Sequence, residues 1–217
     1  SWATAIAKML LCNVNHLNWH VRNKKNIDTF RITGHNPSYL SSVQFDTSKI
    51  TFSDDINQIV SESDVIFLVV PSAFIQSAIR NLTVPLADKY VISAIKGLIP
   101  EKNMIIGTWL NQCMGVPIDR IGVISGPCHA EEVALERLSY LTMACQNVDL
   151  AREYARLITC HFIKTCVSDD IYGTEYAAVL KNIMAIASGV FHGLGYGDNF
   201  QAVLISNAIQ EIKRIVD

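Results

Sequence analysis

The chain has 217 residues, is half hydrophobic and carries a formal net charge of −2. That is enough apolar material for one large domain, or one domain and part of another. The charge balance leaves no electrostatic footprint for nucleic acid or an anionic membrane surface. No apolar run approaches the ~20 residues of a membrane-spanning helix.

The six cysteines show neither C-x-x-C nor zinc-finger spacing, which fits a reduced, cytoplasmic protein. The six histidines form no H-x-x-H or carboxylate cluster, so no metal site is expected. No signal peptide is visible, although the chain begins without methionine, inside what reads as the first turn of a buried helix.

In chain order, that helix covers 2–11 and a strand "HLNWHV" follows at 16–21. This pairing fits the first crossover of a dinucleotide-binding fold, in which G-x-G-x-x-G/A joins a strand to a helix whose N-terminus receives the pyrophosphate. With Ser1 directly after the second glycine, Ala3 takes the third glycine position. A first strand and two glycines are then expected ahead of Ser1.

The stretch "WHVRNKK" reads as a basic turn, and 36–53 as a turn-rich surface loop. Apolar strands are expected at 64–70, 90–95, 120–125, 140–145 and 162–166. Helices are expected at 54–61, 73–80, 101–113, 129–135 and 149–159. Strands apolar on both faces and separated by helices indicate a mainly parallel sheet covered on both sides, an α/β architecture. After about residue 168 strand signals cease. Helices over 171–193 and 199–216 are joined by "GLGYGDN", with Asp198 or Asn199 available to cap the second. That glycine-rich stretch follows no strand and reads as an interhelical turn rather than a phosphate loop. The domain boundary is placed near 168. Two helices make a poor core alone, so the chain reads as cut at both ends, and residues 1–217 alone are expected to be inactive and to bind dinucleotide poorly.

Lys181 is the only charged residue from Tyr176 to Val190, and its helical neighbours are Ala177, Ala178, Met184 and Ala185. A helix apolar on all sides is expected to be buried, and a desolvated lysine there suits a general acid. Asn182 beside it can orient a substrate. Lys96 in "SAIKGL" follows a strand's C-terminal end, where open α/β sheets bind ligands, and Gly97 permits close backbone approach.

In "SGPCHAEEVA", Gly126-Pro127 makes a turn and a helix begins near Cys128, offering backbone amides to an anion or carboxamide. Glu131 and Glu132 favour that helix's N-terminus. Arg22, with Lys24 and Lys25 near, would suit an adenosine 2′-phosphate or stack on adenine. Pro71, Ser72 and Phe74 lie at a strand exit. Phe74 there is read either as packing near the dinucleotide or as ordinary core. His192 reads as a helix-end residue.

The motifs "SWATA", "NPSYL", "VVPSAF", "SAIKGL", "SGPCHAEEVA" and "EYAAVLKNIMAIASGVFHGLGYGDN" occur in this order. Together they resemble the bacterial type of NAD(P)-dependent glycerol-3-phosphate dehydrogenase, over essentially the whole chain. The resemblance implies a Rossmann-type domain over 1–168 followed by the start of an all-α substrate domain over 169–217. It implies reduction of dihydroxyacetone phosphate to sn-glycerol 3-phosphate, a phospholipid precursor, with NADP or NAD.

Carried over residue by residue, Lys181 of "LKN" is the general acid/base. Ser1, Trp2, Arg22, Tyr39, Phe74, Lys96 and Ala130 serve the cofactor. Lys96, Gly126, Cys128, Lys181 and Asn182 serve the substrate. The family usually has serine or a similar polar residue where this chain has Cys128, and a thiol is a weak donor, so backbone contact is expected there rather than side-chain recognition. The partner implied is a small-molecule substrate, with neither nucleic acid nor membrane. The oligomeric state is left open, a homodimer included. Two other readings stand beside this one: a related two-domain reductase of a 2-keto or hydroxy acid, and a non-catalytic nucleotide-binding fragment.

Overall fold

The computed structural model describes residues 1–216. Helix α1 (Trp2–Leu10) turns into strand β1 (Leu17–His20). Helix α2 (Lys24–Thr33) follows, and a loop leads to β2 (Ile50–Ser53). Then come α3 (Ile56–Ser61), β3 (Val65–Leu68), α4 (Ile75–Ile79) and β4 (Tyr90–Ser93). Next are α5 (Ile106–Met114), β5 (Ile121–Ser125), α6 (Ala130–Ala134) and β6 (Ser139–Cys145). The remaining elements are α7 (Val148–Ile158), β7 (Ile163–Ser168), α8 (Ile171–Gly193) and α9 (Asp198–Val216).

Strands β3 to β7 form one sheet in sequential order. All its pairings are parallel except β5 with β6. The central strands bury both faces. Val91 joins a core with Ile66, Ile121, Trp109 and Leu110, while its neighbour Ile92 joins the opposite core with Ile6, Ile124, Met143 and Ile158. Side chains alternate along a strand, so adjacent residues serve opposite layers. Helix α7 fits this arrangement: Ala151, Tyr154, Ala155 and Ile158 are its buried residues, one apolar stripe at helical spacing.

Strands β1 and β2 pair in parallel as a separate two-stranded sheet. Between β1 and β3 lies an apolar cavity of about 210 Å³ whose walls include Ile6, Leu10, Trp19 and Phe67.

Two expectations fail in this half. The basic turn is largely helix: Lys24 and Lys25 open α2, which Asn23 caps by accepting from the Lys25 N–H at 3.0 Å. Ile27 and Phe30 bury its inner face. The 36–53 loop ends in a true strand, β2, because Ile50 and Phe52 alternate inward to meet Trp19, Phe30 and Phe45.

The helical end also departs from expectation. Only Ile171, Gly173 and Glu175 of α8 are buried, all in its first two turns. The apolar stretch beyond is held by α9 on one side, and Ile183, Ile186 and Val190 are exposed. Lys181 is accordingly exposed, and the expectation of a desolvated ammonium is corrected: the residues described put no layer over that face of α8. The turn between α8 and α9 is as expected. Phe191, Tyr196 and Phe200 pack ring to ring across it, and Gln201 bonds both the hydroxyl and the carbonyl of Ser188. Asp198 is the first residue of α9. His192 sits in the last turn of α8.

Candidate active site

The C-terminal ends of β1, β3 and β4 and the N-terminal end of α1 open on one cleft of about 830 Å³. Ser1, Trp2, Arg22, Tyr39, Lys96, Cys128 and Ala130, predicted separately from five motifs, all line it. Its position follows from topology, since parallel strands direct their following loops to one edge.

The first turn of α1 faces the cleft, and no side chain caps it. Its leading N–H groups are thus free for an anion. Thr4 is buried and its Oγ1 accepts from Asn36 Nδ2 at 2.8 Å. Asn36 Oδ1 in turn accepts from the Ser38 and Tyr39 N–H groups at 2.9 and 3.3 Å. This chain of bonds fixes the "NPSYL" loop to α1 and sets Tyr39 on the cleft wall. Burial holds the His20 imidazole, also on the wall, below its ordinary value.

Lys96 follows β4 in a loop shaped by Gly97. Gly97 has φ +108°, and a Cβ there would lie 2.9 Å from Ser72 Oγ. The close approach is thus to the Pro71–Ser72 turn after β3. The Lys96 ammonium is held below the usual lysine range, first by burial, then by the nearby cation of Lys181, with Cys128 opposing. Lys181 on α8 and Cys128 before α6 are thus near enough to act on the charge of Lys96, although Lys181 and Asn182 do not themselves line the cleft. Burial pushes the Cys128 thiol up, against a hydrogen bond with Ser139 and the charge of Lys96. That thiol is buried and stays protonated near neutrality.

Other predicted residues take different positions. Gly126 is not on the cleft wall. Its φ is +135°, and a Cβ would lie 2.6 Å from the Tyr140 carbonyl oxygen, so it lets the chain leave β5 against β6. Phe74 is neither core nor cleft wall; it is 57 % exposed. Asn182 is exposed beside Lys181 on α8. The helix of "SGPCHAEEVA" begins at Ala130, two residues later than expected, with His129 as its N-cap residue. Glu131 reaches the cleft wall as well as the first turn of α6. Among the described residues no three His, Cys, Asp or Glu side chains are grouped to hold a metal. No described helix is long and apolar enough to cross a membrane.

Sequence reasoning missed Glu175. It is buried, and its Oε2 accepts from the Gly107 N–H at 2.8 Å. The Ile106 N–H also bonds it, so the carboxylate caps the N-terminus of α5 and ties α8 to the sheet domain. Burial outweighs these two bonds and pushes its pKa up to about 7.

Comparison with known proteins agrees with this geometry. Residues 1–151 match the profile of the NAD-dependent glycerol-3-phosphate dehydrogenase N-terminus, and 170–217 match that of its C-terminus. A glycerol-3-phosphate dehydrogenase [NAD(P)+] of Exiguobacterium sp. is 33 % identical over 217 residues, covering 99 % of this chain and 63 % of the relative. One from Limosilactobacillus reuteri is 31 % identical over 221 residues, covering 99 % and 65 %. The chain thus spans just under two thirds of the length of these relatives.

Among solved structures, glycerol-3-phosphate dehydrogenase of Coxiella burnetii superposes with TM-score 0.84 at 26 % identity, covering 99 % of this chain and 65 % of that one. The Plasmodium falciparum enzyme, at 24 % identity and TM-score 0.87 over 97 % of this chain and 62 % of that one, shares the fold. With both profiles matched in order on a Rossmann-type sheet and its following helices, the chain belongs to the NAD-dependent glycerol-3-phosphate dehydrogenase family.

Proposed function

We propose that the protein reduces dihydroxyacetone phosphate to sn-glycerol 3-phosphate with NADPH or NADH, and so feeds glycerophospholipid synthesis. The observation that carries this reading is the ordered match of both family profiles on a chain whose large cleft is lined by Lys96, with the Lys181 cation near enough to act on that ammonium. Two cations there suit a substrate that is doubly anionic at one end and acquires alkoxide charge at the other. The cofactor is then held by residues before 168, while the substrate draws on both sides of that boundary, with Lys96, Gly126 and Cys128 before it and Lys181 and Asn182 after it.

The cleft fits a dinucleotide. Free amides of α1 suit the pyrophosphate, Arg22 suits the adenosine end, and Trp2, Tyr39 and Ala130 supply apolar wall. A bound nicotinamide cofactor supplies the hydride. Lys181 donates its proton to the carbonyl oxygen as that oxygen becomes an alkoxide. It acts here by position beside Lys96 rather than by burial of its own. Lys96, exposed on the cleft wall, offers its ammonium to the substrate and the cofactor. Asn182 orients the substrate. The amides near Cys128 receive its polar groups, the thiol being a weak donor, while Gly126 serves by shaping that turn. Phe74, being exposed, is left with at most an edge contact to the cofactor.

Consumption of NADPH and NADH by the full-length protein is to be measured with dihydroxyacetone phosphate and, separately, with a panel of 2-keto acids. Turnover of the phosphorylated ketone is expected. Turnover confined to 2-keto acids would assign the protein to the other two-domain reductases, and turnover of neither would leave a nucleotide-binding protein.

A further inference from the structure

The end of α1 remote from the cleft holds a pair of thiols. Cys12 lies in the turn after α1, where its Sγ donates to the Lys8 carbonyl at 3.4 Å. Cys160 lies in the turn between α7 and β7, with its backbone bonded to Ile163 in both directions, at 3.2 and 3.1 Å. Asn13 fastens these turns together: its Nδ2 donates to the carbonyls of Leu157 and Thr159 at 3.0 and 2.9 Å. The two residues flanking that clamp, Cys12 and Cys160, are brought close enough by it for the Cys160 thiol to act on that of Cys12. Cys12 is exposed and Cys160 half-buried.

We propose that Cys12 and Cys160 are a dithiol exchange site for a low-molecular-mass disulfide such as glutathione disulfide, and close reversibly into a disulfide that staples α1 to β7. The exposed Cys12 thiolate attacks one sulfur of glutathione disulfide. A mixed disulfide forms and one glutathione thiolate leaves. The Cys160 thiolate then attacks Cys12 Sγ, the Cys12–Cys160 bond forms, and the second glutathione thiolate leaves. The two protons lost by the cysteines end on the two glutathiones, so two protein thiols are oxidised and one small disulfide is reduced.

Exposure selects Cys12 as the attacking thiol, and its place beside the Asn13 clamp selects Cys160 as the resolving one. The surroundings set the pace. Burial, the Cys160 thiol and Glu136 push the Cys12 thiol up, while the Lys8 ammonium pulls it down. His161, which bonds Glu136 at 3.1 Å, is another polar side chain at this seam. Exchange is therefore slow at neutral pH and quickens as pH rises and the thiolate fraction grows.

The test is incubation of the purified, reduced protein with glutathione disulfide, alkylation of the remaining thiols, and peptide mapping by mass spectrometry. A Cys12–Cys160 cross-linked peptide that disappears on treatment with dithiothreitol is the expected result. Cys160→Ser should instead accumulate glutathione at Cys12, because nothing resolves the mixed disulfide. Wild-type protein that stops at the mixed disulfide, or leaves both cysteines unmodified while glutathione disulfide modifies other exposed cysteines, overturns the proposal.

Discussion

Arg22 stands exposed where β1 delivers the chain to the cleft, and it is the residue whose charge best separates the two cofactors. NADPH carries a 2′-phosphate that NADH lacks. A charge-assisted hydrogen bond is worth roughly 1.5–3 kcal/mol, or about 10–150-fold in affinity. Arg22→Ala should weaken NADPH by that factor and NADH little, as measured by quenching of protein fluorescence. Equal weakening would mean that Arg22 stacks on adenine. Lys96 and Arg22 were legible in the sequence because each is a cation placed just past a strand end. Thr4 and Asn36 were not: their bond joins residues far apart in the chain, and neither has a neighbour that announces it. Glu175 was hidden for a similar reason, since its partner is the backbone of another helix.

At the scale of elements, the long-period signals were readable and the short ones were not. The apolar runs of β3, β4 and β5 and the helical stripe of α7 announced themselves. Strand β2 reads Ile-Thr-Phe-Ser within a stretch rich in Ser and Thr, and its partner Trp19 lies across the sheet, so nothing local distinguished it from loop. Helix α2 was masked by its basic first turn, although Asn23 and the Ile27/Phe30 spacing marked a cap and a buried face. The burial of α8 was misjudged because an apolar helix states that a cover is needed, not where it comes from.

The join between α8 and α5 through Glu175 has a consequence for stability. A carboxyl whose folded-state pKa is raised from the ordinary 4.5 to about 7 binds its proton more tightly in the folded protein than in the unfolded chain. Its contribution is greatest below about 4.5 and is lost as pH rises to about 7, of the order of 3 kcal/mol at most. Glu175→Gln keeps an acceptor for the Gly107 N–H but cannot ionise. Thermal melts at pH 5 and pH 8 should therefore show a smaller loss of stability in the variant than in the wild type. An equal loss would mean that the carboxyl ionises freely where it lies.

At the scale of the whole molecule, one sheet edge gathers the ends of several strands, the start of α1 and the turn before α6 around a single cleft. The two cations Lys96 and Lys181 come from elements on either side of residue 168 and meet only in the folded chain. The central claim is that Lys181 supplies the proton at that meeting point, while the rest of the cleft holds the dinucleotide. Lys181→Met tests it most directly, because an exposed lysine can be replaced without a folding penalty from burial. Turnover of dihydroxyacetone phosphate and binding of NADPH should be measured on the same preparation of the full-length protein. The account predicts a turnover loss of about 10²–10⁴-fold, the usual range for a general acid, with NADPH affinity retained; unchanged turnover in the folded variant would contradict it.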